Sequence, residues 1–267
     1  MNNKLAQEFL INWGLLAPPA DGAWGPQSQA ALEDFQRYIG LKPGKLDAAT
    51  FELLQRTKLP ELLITIDLAS KIIRYMLEQS YFISRGPKRY NIVYLEGCDQ
   101  HGTPNADKLD QWTDRRLLIE IGDYKTPKII GNWLATTEPG AHYTYNPMNL
   151  KGAFRIAFGQ YRAWKFGRHG RTQYPALVQV GRIAGYRDLN KDGLRTGDLL
   201  VVGEELEINQ HHGWGTPTIS FGSAGCLVGQ SIEGHQDFMN LLRGDRRYKV
   251  NTQYVWHTTI IDAGKLT

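Results

Sequence analysis

Two adjacent imidazoles and a thiol fall within one short stretch of the 267-residue chain. Ile208-Asn209-Gln210-His211-His212-Gly213 is followed ten residues later by Ser223-Ala224-Gly225-Cys226-Leu227-Val228. A cysteine attacks as its thiolate, and a neighbouring imidazole is the usual means of removing the thiol proton near neutral pH. Glycine beside each group lets backbone approach a ligand or turn tightly. Cys226 is the candidate nucleophile; the other options are an inert buried thiol or a disulfide with Cys98, the chain's other cysteine. His211 and His212 are the candidate bases, and Ser223 is placed either to hydrogen-bond an imidazole or to end the loop. Backbone N–H groups around Gly225 and Cys226 are candidate oxyanion donors.

Two further stretches carry possible chemistry. Residues 136–151 form a connection without clear periodicity, and a loop of that length inside a domain is usually functional. Its Tyr143 and Tyr145, with Gly213 and Trp214, are candidate substrate contacts. Asp188, Asn190 and Asp192 stand at positions 1, 3 and 5 of a calcium-loop pattern with Gly193 at 6, but Leu199 occupies position 12 and Asp198 arrives one residue early. A β-hairpin turn is the favoured expectation there, with Ca²⁺ as the alternative and no other cofactor expected. A zinc peptidase would have His101, His142, His211, His212 and His235 to draw on, yet no HExxH pair or comparable ligand spacing supports it.

Elements that would position these groups follow from periodicity. Leu5, Phe9 and Trp13 make one apolar helical stripe, Pro26 opens a second helix, and Asp47 caps a third. Asp67 caps a helix bearing Leu68, Ile72, Ile73 and Met76. Beyond it the period changes: residues 91–95, 116–121, 129–135, 176–180, 199–202, 205–209 and 257–261 read as strands, with a helix over 231–242. Leu206 and Ile208 are apolar on one face of the expected 205–209 strand, so alternation puts Asn209 and His211 on the other. The expected fold is α+β: a small three-helix bundle over residues 1–58, a linker and connecting helix over 59–90, and a mostly antiparallel β domain over 91–267 with one or two packed helices.

Asp21-Gly22-x-Trp24-Gly25-Pro26, then Ala30-Ala31, Phe35-Gln36, Gly40-Leu41 and Asp47-x-x-Thr50, resemble a type 1 peptidoglycan-binding domain. The resemblance implies a wall-binding module in which Asp21, Gly22, Trp24 and Phe35 are the marked residues, Trp24 chiefly as a plug of the small core. His-Gly, a spacer and Ser-x-Gly-Cys-apolar are similar to the signature of L,D-transpeptidase catalytic domains, which implies a sandwich-like β domain with Cys226 as nucleophile. In that family the site histidine lies on the face opposite the preceding isoleucine, which favours His211, while His212 fits the literal His-Gly string. Ala224 and Val228 stand where the family has His and Arg or Asn, which makes an altered acceptor, or a hydrolytic rather than cross-linking outcome, plausible.

Net charge is +4, mildly basic, which suits an anionic partner such as a cell wall but is no nucleic-acid footprint. No apolar run reaches the roughly 20 residues of a membrane span, and the start Met1-Asn2-Asn3-Lys4-Leu5 has no signal-peptide pattern. A monomeric enzyme that cleaves amide bonds in bacterial peptidoglycan is expected, of phage-lysin type and reaching the wall by release or another export route. The alternatives are an L,D-transpeptidase that forms cross-links and a non-catalytic wall-binding protein.

Overall fold

Each of the first four helices starts at a local signal in the sequence, a side-chain cap or a proline. In the computed structural model, which describes residues 2–266, α1 (Asn3–Asn12) is capped by Asn2, and α2 (Pro26–Tyr38) opens on its proline. The Asp47 carboxylate accepts the Thr50 N–H at 2.7 Å to start α3 (Ala48–Arg56), and Asp67 accepts the Ser70 N–H at 3.0 Å to start α4 (Leu68–Glu78). α1, α2 and α3 share a core of Leu10, Trp13, Leu32, Phe35 and Leu54, in which Trp13 meets Phe35 edge-on at 5.1 Å. These helices belong to one unit made of residues 1–91, 119–128 and 242–252. The segment expected as a linker, 59–90, is built into this unit: Leu63 N–H donates to Lys125 O at 2.9 Å and Arg85 to Pro60 O at 2.8 Å.

The other unit comprises residues 92–118, 129–241 and 253–267. Eight strands close into a barrel: β1 (Tyr90–Glu96), β2 (Asp114–Glu120), β3 (Lys128–Thr136), β5 (Gly159–His169), β6 (Tyr174–Gln179), β9 (Gln210–His212), β10 (Leu227–Gly229) and β11 (Trp256–Asp262). Around it the order is β1-β11-β5-β6-β9-β10-β3-β2. β1 pairs with β11 and β9 with β10 in parallel, while β11–β5, β5–β6, β6–β9 and β10–β3 are antiparallel. The expected sandwich is thus a closed sheet: the first and last strands pair with each other, from Ile92 opposite Thr258 to Glu96 opposite Asp262, which removes the open edges. Trp164, Leu177, Trp256 and Ile260 are fully enclosed here.

A second antiparallel sheet holds β4 (Ala153–Ile156), β7 (Ile183–Asp188) and β8 (Leu199–Gly203) in the order β4-β7-β8. α5 (Ala141–Tyr145) interrupts the long connection after β3, α6 (Ile232–Gly244) covers the predicted 231–242 helix, and α7 (Arg246–Val250) follows. Residues 205–209 are not a strand. Glu207 takes φ +58, a left-handed conformation that breaks an extended run, and pairing resumes only at Gln210. Among the described residues, no helix is long and apolar enough to cross a membrane.

Candidate active site

Cys226 stands at the mouth of β10, held by a tight turn. Ser223 Oγ donates to Cys226 O at 2.9 Å and accepts the Gly225 N–H at 3.1 Å, so this hydroxyl ends the loop rather than reaching an imidazole. Gly225 has φ +124, and a Cβ there would lie 2.5 Å from Phe154 O; no residue with a side chain fits. Parallel pairing of β9 with β10 sets Val228 opposite His211, and the Leu227 N–H donates to Asn209 O at 2.9 Å. Two short strands therefore deliver the thiol and the imidazole to one place.

That place is a cleft of about 470 Å³ whose lining includes Cys226, His211, His169, Tyr174, Tyr143 and Trp214. His169, at the end of β5, stacks on His211 with ring centres 4.3 Å apart and planes 15° from parallel. One donor atom each of His169, His211 and Cys226 lies within 4.8 Å of the others. The hydrogen-bond network assigns the tautomers. His211 Nδ1 is 2.8 Å from His212 O, so it carries the proton and leaves Nε2 with a lone pair. Asn209 Oδ1 accepts the Gln179 N–H at 2.9 Å, which turns its Nδ2 toward His169 Nδ1, also at 2.9 Å. His169 Nδ1 is therefore an acceptor, and its proton sits on Nε2.

His212 points elsewhere. Its Nδ1 donates to Gly213 O at 2.7 Å, and its ring packs on Tyr174 at 4.2 Å and Trp214 at 4.8 Å, away from the cluster with Cys226. Behind the cleft lies the buried guanidinium of Arg116, which donates to Tyr94 Oη at 2.6 Å, His235 Nδ1 at 3.0 Å and His211 O at 2.8 Å. His235 in turn donates to Pro175 O at 2.9 Å. A cation bound only to neutral acceptors keeps its neighbours uncharged: burial, with Arg116 adding to it, lowers the His235 pKa to about 2.

The same physics sets the protonation of the pair in the cleft. Burial lowers His211 to about 3, helped by the neighbouring His169. Burial raises the Cys226 thiol to about 11, partly offset by the Asn209 N–H that donates to Sγ at 3.4 Å. At neutral pH the site holds a thiol and a neutral imidazole, not a preformed ion pair.

Other expected residues scatter. Tyr143 and Trp214 line the cleft, with Trp214 60% exposed, whereas Tyr145 and Gly213 do not line it. Gly213 instead gives its N–H to Gly229 O at 2.6 Å, and a Cβ there would meet Trp112 at 2.8 Å. Cys98 and Cys226 are both free thiols. In the helical unit, Asp21 and Gly22 shape the loop around buried Gln7, whose Nε2 donates to Asp21 Oδ1 at 2.9 Å and whose Oε1 accepts the Gly22 N–H at 2.7 Å. Trp24 packs half-buried against the small core and Phe35 lies within it. His169, Tyr174 and Arg116 were not expected. The signal for His169 was Asn209, already placed on the His211 face.

Two acidic groups could attract cations. Glu96, Asp107 and Glu138 converge, but Arg195 pairs with Glu96 through two contacts of 2.6 Å and Arg155 pairs with Glu138, so arginines already supply the positive charge. Asp188, Asp192 and Asp198 also converge, in the loop joining β7 to β8.

A family model described as "Putative peptidoglycan binding domain" matches residues 2–54. No curated protein matches the chain. Among solved structures the chain is similar to a fused Zn-dependent amidase/peptidase/peptidoglycan-binding domain-containing protein from Clostridium acetobutylicum, with 15% identity over 97% of this chain and 94% of that one. Its TM-score of 0.28 is too low to carry weight for the site. Residues 2–54 are the part of this chain that a family match covers, and that family is the peptidoglycan-binding domain.

Proposed function

We propose that the protein is a peptidoglycan-acting cysteine enzyme that cleaves amide bonds in stem or cross-link peptides through a thioester. The observation that carries this is the convergence of Cys226 and His211 in an open cleft of a chain whose residues 2–54 match a wall-binding family. Cys226 Sγ attacks the amide carbonyl as His211 Nε2 takes its proton; the imidazolium then protonates the leaving amine. Because both groups rest neutral, the proton moves during attack rather than before it. With the Gly225 N–H held by Ser223, the Cys226 N–H is the backbone donor proposed for the oxyanion, and His169 Nε2–H is a second donor on the same wall. Water then attacks the thioester and releases the acid; an acceptor amine in place of water gives exchange.

A zinc site on His169, His211 and Cys226 fits less well. Ligation through His169 Nε2 needs the proton on Nδ1, where Asn209 already directs an N–H fixed by Gln179. The test is digestion of purified sacculi followed by mass spectrometry of the muropeptides. New free carboxyl and amine termini are expected, with activity resistant to EDTA and lost on iodoacetamide treatment. Newly joined peptides would make it a transpeptidase, and no change in the muropeptides would leave only a wall-binding protein.

A further inference from the structure

The loop between β7 and β8 runs Asp188-Leu189-Asn190-Lys191-Asp192-Gly193-Leu194-Arg195-Thr196-Gly197-Asp198. By sequence Asp198 comes one residue too early for a calcium loop, yet carboxylate oxygens of Asp188, Asp192 and Asp198 lie within 4.8 Å of one another. The hairpin makes this happen: β7 and β8 pair with Arg187 opposite Leu199, which sets the ends of the loop side by side. Asp188 is completely buried, and its Oδ1 has no hydrogen-bond partner among the described residues. Asp198, only partly buried as a residue, likewise has an enclosed Oδ2 without a hydrogen-bond partner among the described residues.

Nearby cations do not relieve this. Arg155 Nε stays 3.9 Å from Asp188 Oδ2, itself lacks a hydrogen-bond partner, and the guanidinium is committed to Glu138. Lys191 donates away from the cluster, to Tyr145 O at 2.8 Å. A buried carboxylate oxygen left without a partner is unfavourable, because its lost hydration is not replaced.

We infer that this loop binds one Ca²⁺, held by the carboxylates of Asp188, Asp192 and Asp198. Asn190 Oδ1, a loop carbonyl and water would complete the roughly six to eight oxygens this ion takes. Mg²⁺ fits less well, because it demands near-octahedral geometry and gives up its waters reluctantly, whereas Ca²⁺ accepts an irregular set of oxygens. A bound ion would also brace the cleft wall, since Arg187 directly precedes Asp188 and lines the cleft.

The experiment is calorimetric titration of CaCl₂ into the full-length, chelator-treated protein, paired with its melting temperature with and without Ca²⁺. One saturable site per chain and a rise in melting temperature are expected. Asp192 is exposed, so Asp192→Asn leaves the fold intact and is expected to weaken Ca²⁺ at least about tenfold, with Asp198→Asn weakening it similarly. Absence of saturable heat together with an unchanged melting temperature at millimolar Ca²⁺ would overturn the site. So would binding that neither variant weakens.

Discussion

Replacing Cys226 by alanine is expected to drop sacculus turnover to background, a loss of at least about 10³-fold, with folding and wall binding kept. Sγ makes two weak hydrogen bonds, accepting from the Asn209 N–H at 3.4 Å and donating to Glu207 O at 3.7 Å. The turn that presents it is closed by Ser223 and by the left-handed Gly225, neither of which needs the sulfur. Cys226 is buried in a small cluster with Trp112, Ile219 and Val228, so losing the sulfur costs about 1–2 kcal/mol, short of what would unfold the domain. A structural cysteine would behave in the opposite way: turnover unchanged and melting temperature lowered. Sacculus assays and a thermal melt of the same preparation separate the two.

The second large effect concerns the choice between adjacent histidines. His211→Ala is expected to lower kcat/KM by about 10²–10⁴, the usual share of a general base. His212→Ala should lower it far less and cost about 2 kcal/mol of stability instead, because that ring is buried between Tyr174 and Trp214. The pH profile adds an independent check. A folded pKa depressed to about 3 means His211 keeps its lone pair as the pH falls from 8 to 5, so kcat/KM should show no inflection near 6.5 from this group. The sign reverses for stability. Below about 6.5 an unfolded chain binds a proton on this residue that the folded one refuses, so stability declines as pH drops from there toward 3. A fall of kcat/KM centred on 6.5 would place the proton transfer on a solvated histidine instead.

Helix starts were legible because caps are local. Pro26, Asp47 and Asp67 begin the helices expected of them, Pro26 by its fixed backbone angle and the two aspartates by accepting an N–H three residues on. The barrel was not legible, because its closure depends on β1 meeting β11 about 165 residues away. Strand β5 is hard to read for a different reason: charged Arg162, Lys165 and Arg168 interrupt it and only Ala163 and Trp164 are buried, a pattern weaker than the Val- and Ile-rich runs that mark buried strands. Missing β5 meant missing His169. β9 and β10 are three residues each, too short for any periodicity to register, yet they position His211 and Cys226. The 205–209 strand was an error of period: alternation was real, but Glu207 turns left-handed. Asn209 and His211 still meet on one side because His169 gathers both.

The most direct measurement is the intact mass of the full-length protein, acid-quenched during turnover of a purified muropeptide. The expected result is a fraction of protein heavier by the acyl part of the stem peptide, with the added mass on Cys226 and released by hydroxylamine as a thioester is. Turnover that persists in Cys226→Ala, or an acyl group found on another residue, would contradict the cysteine mechanism.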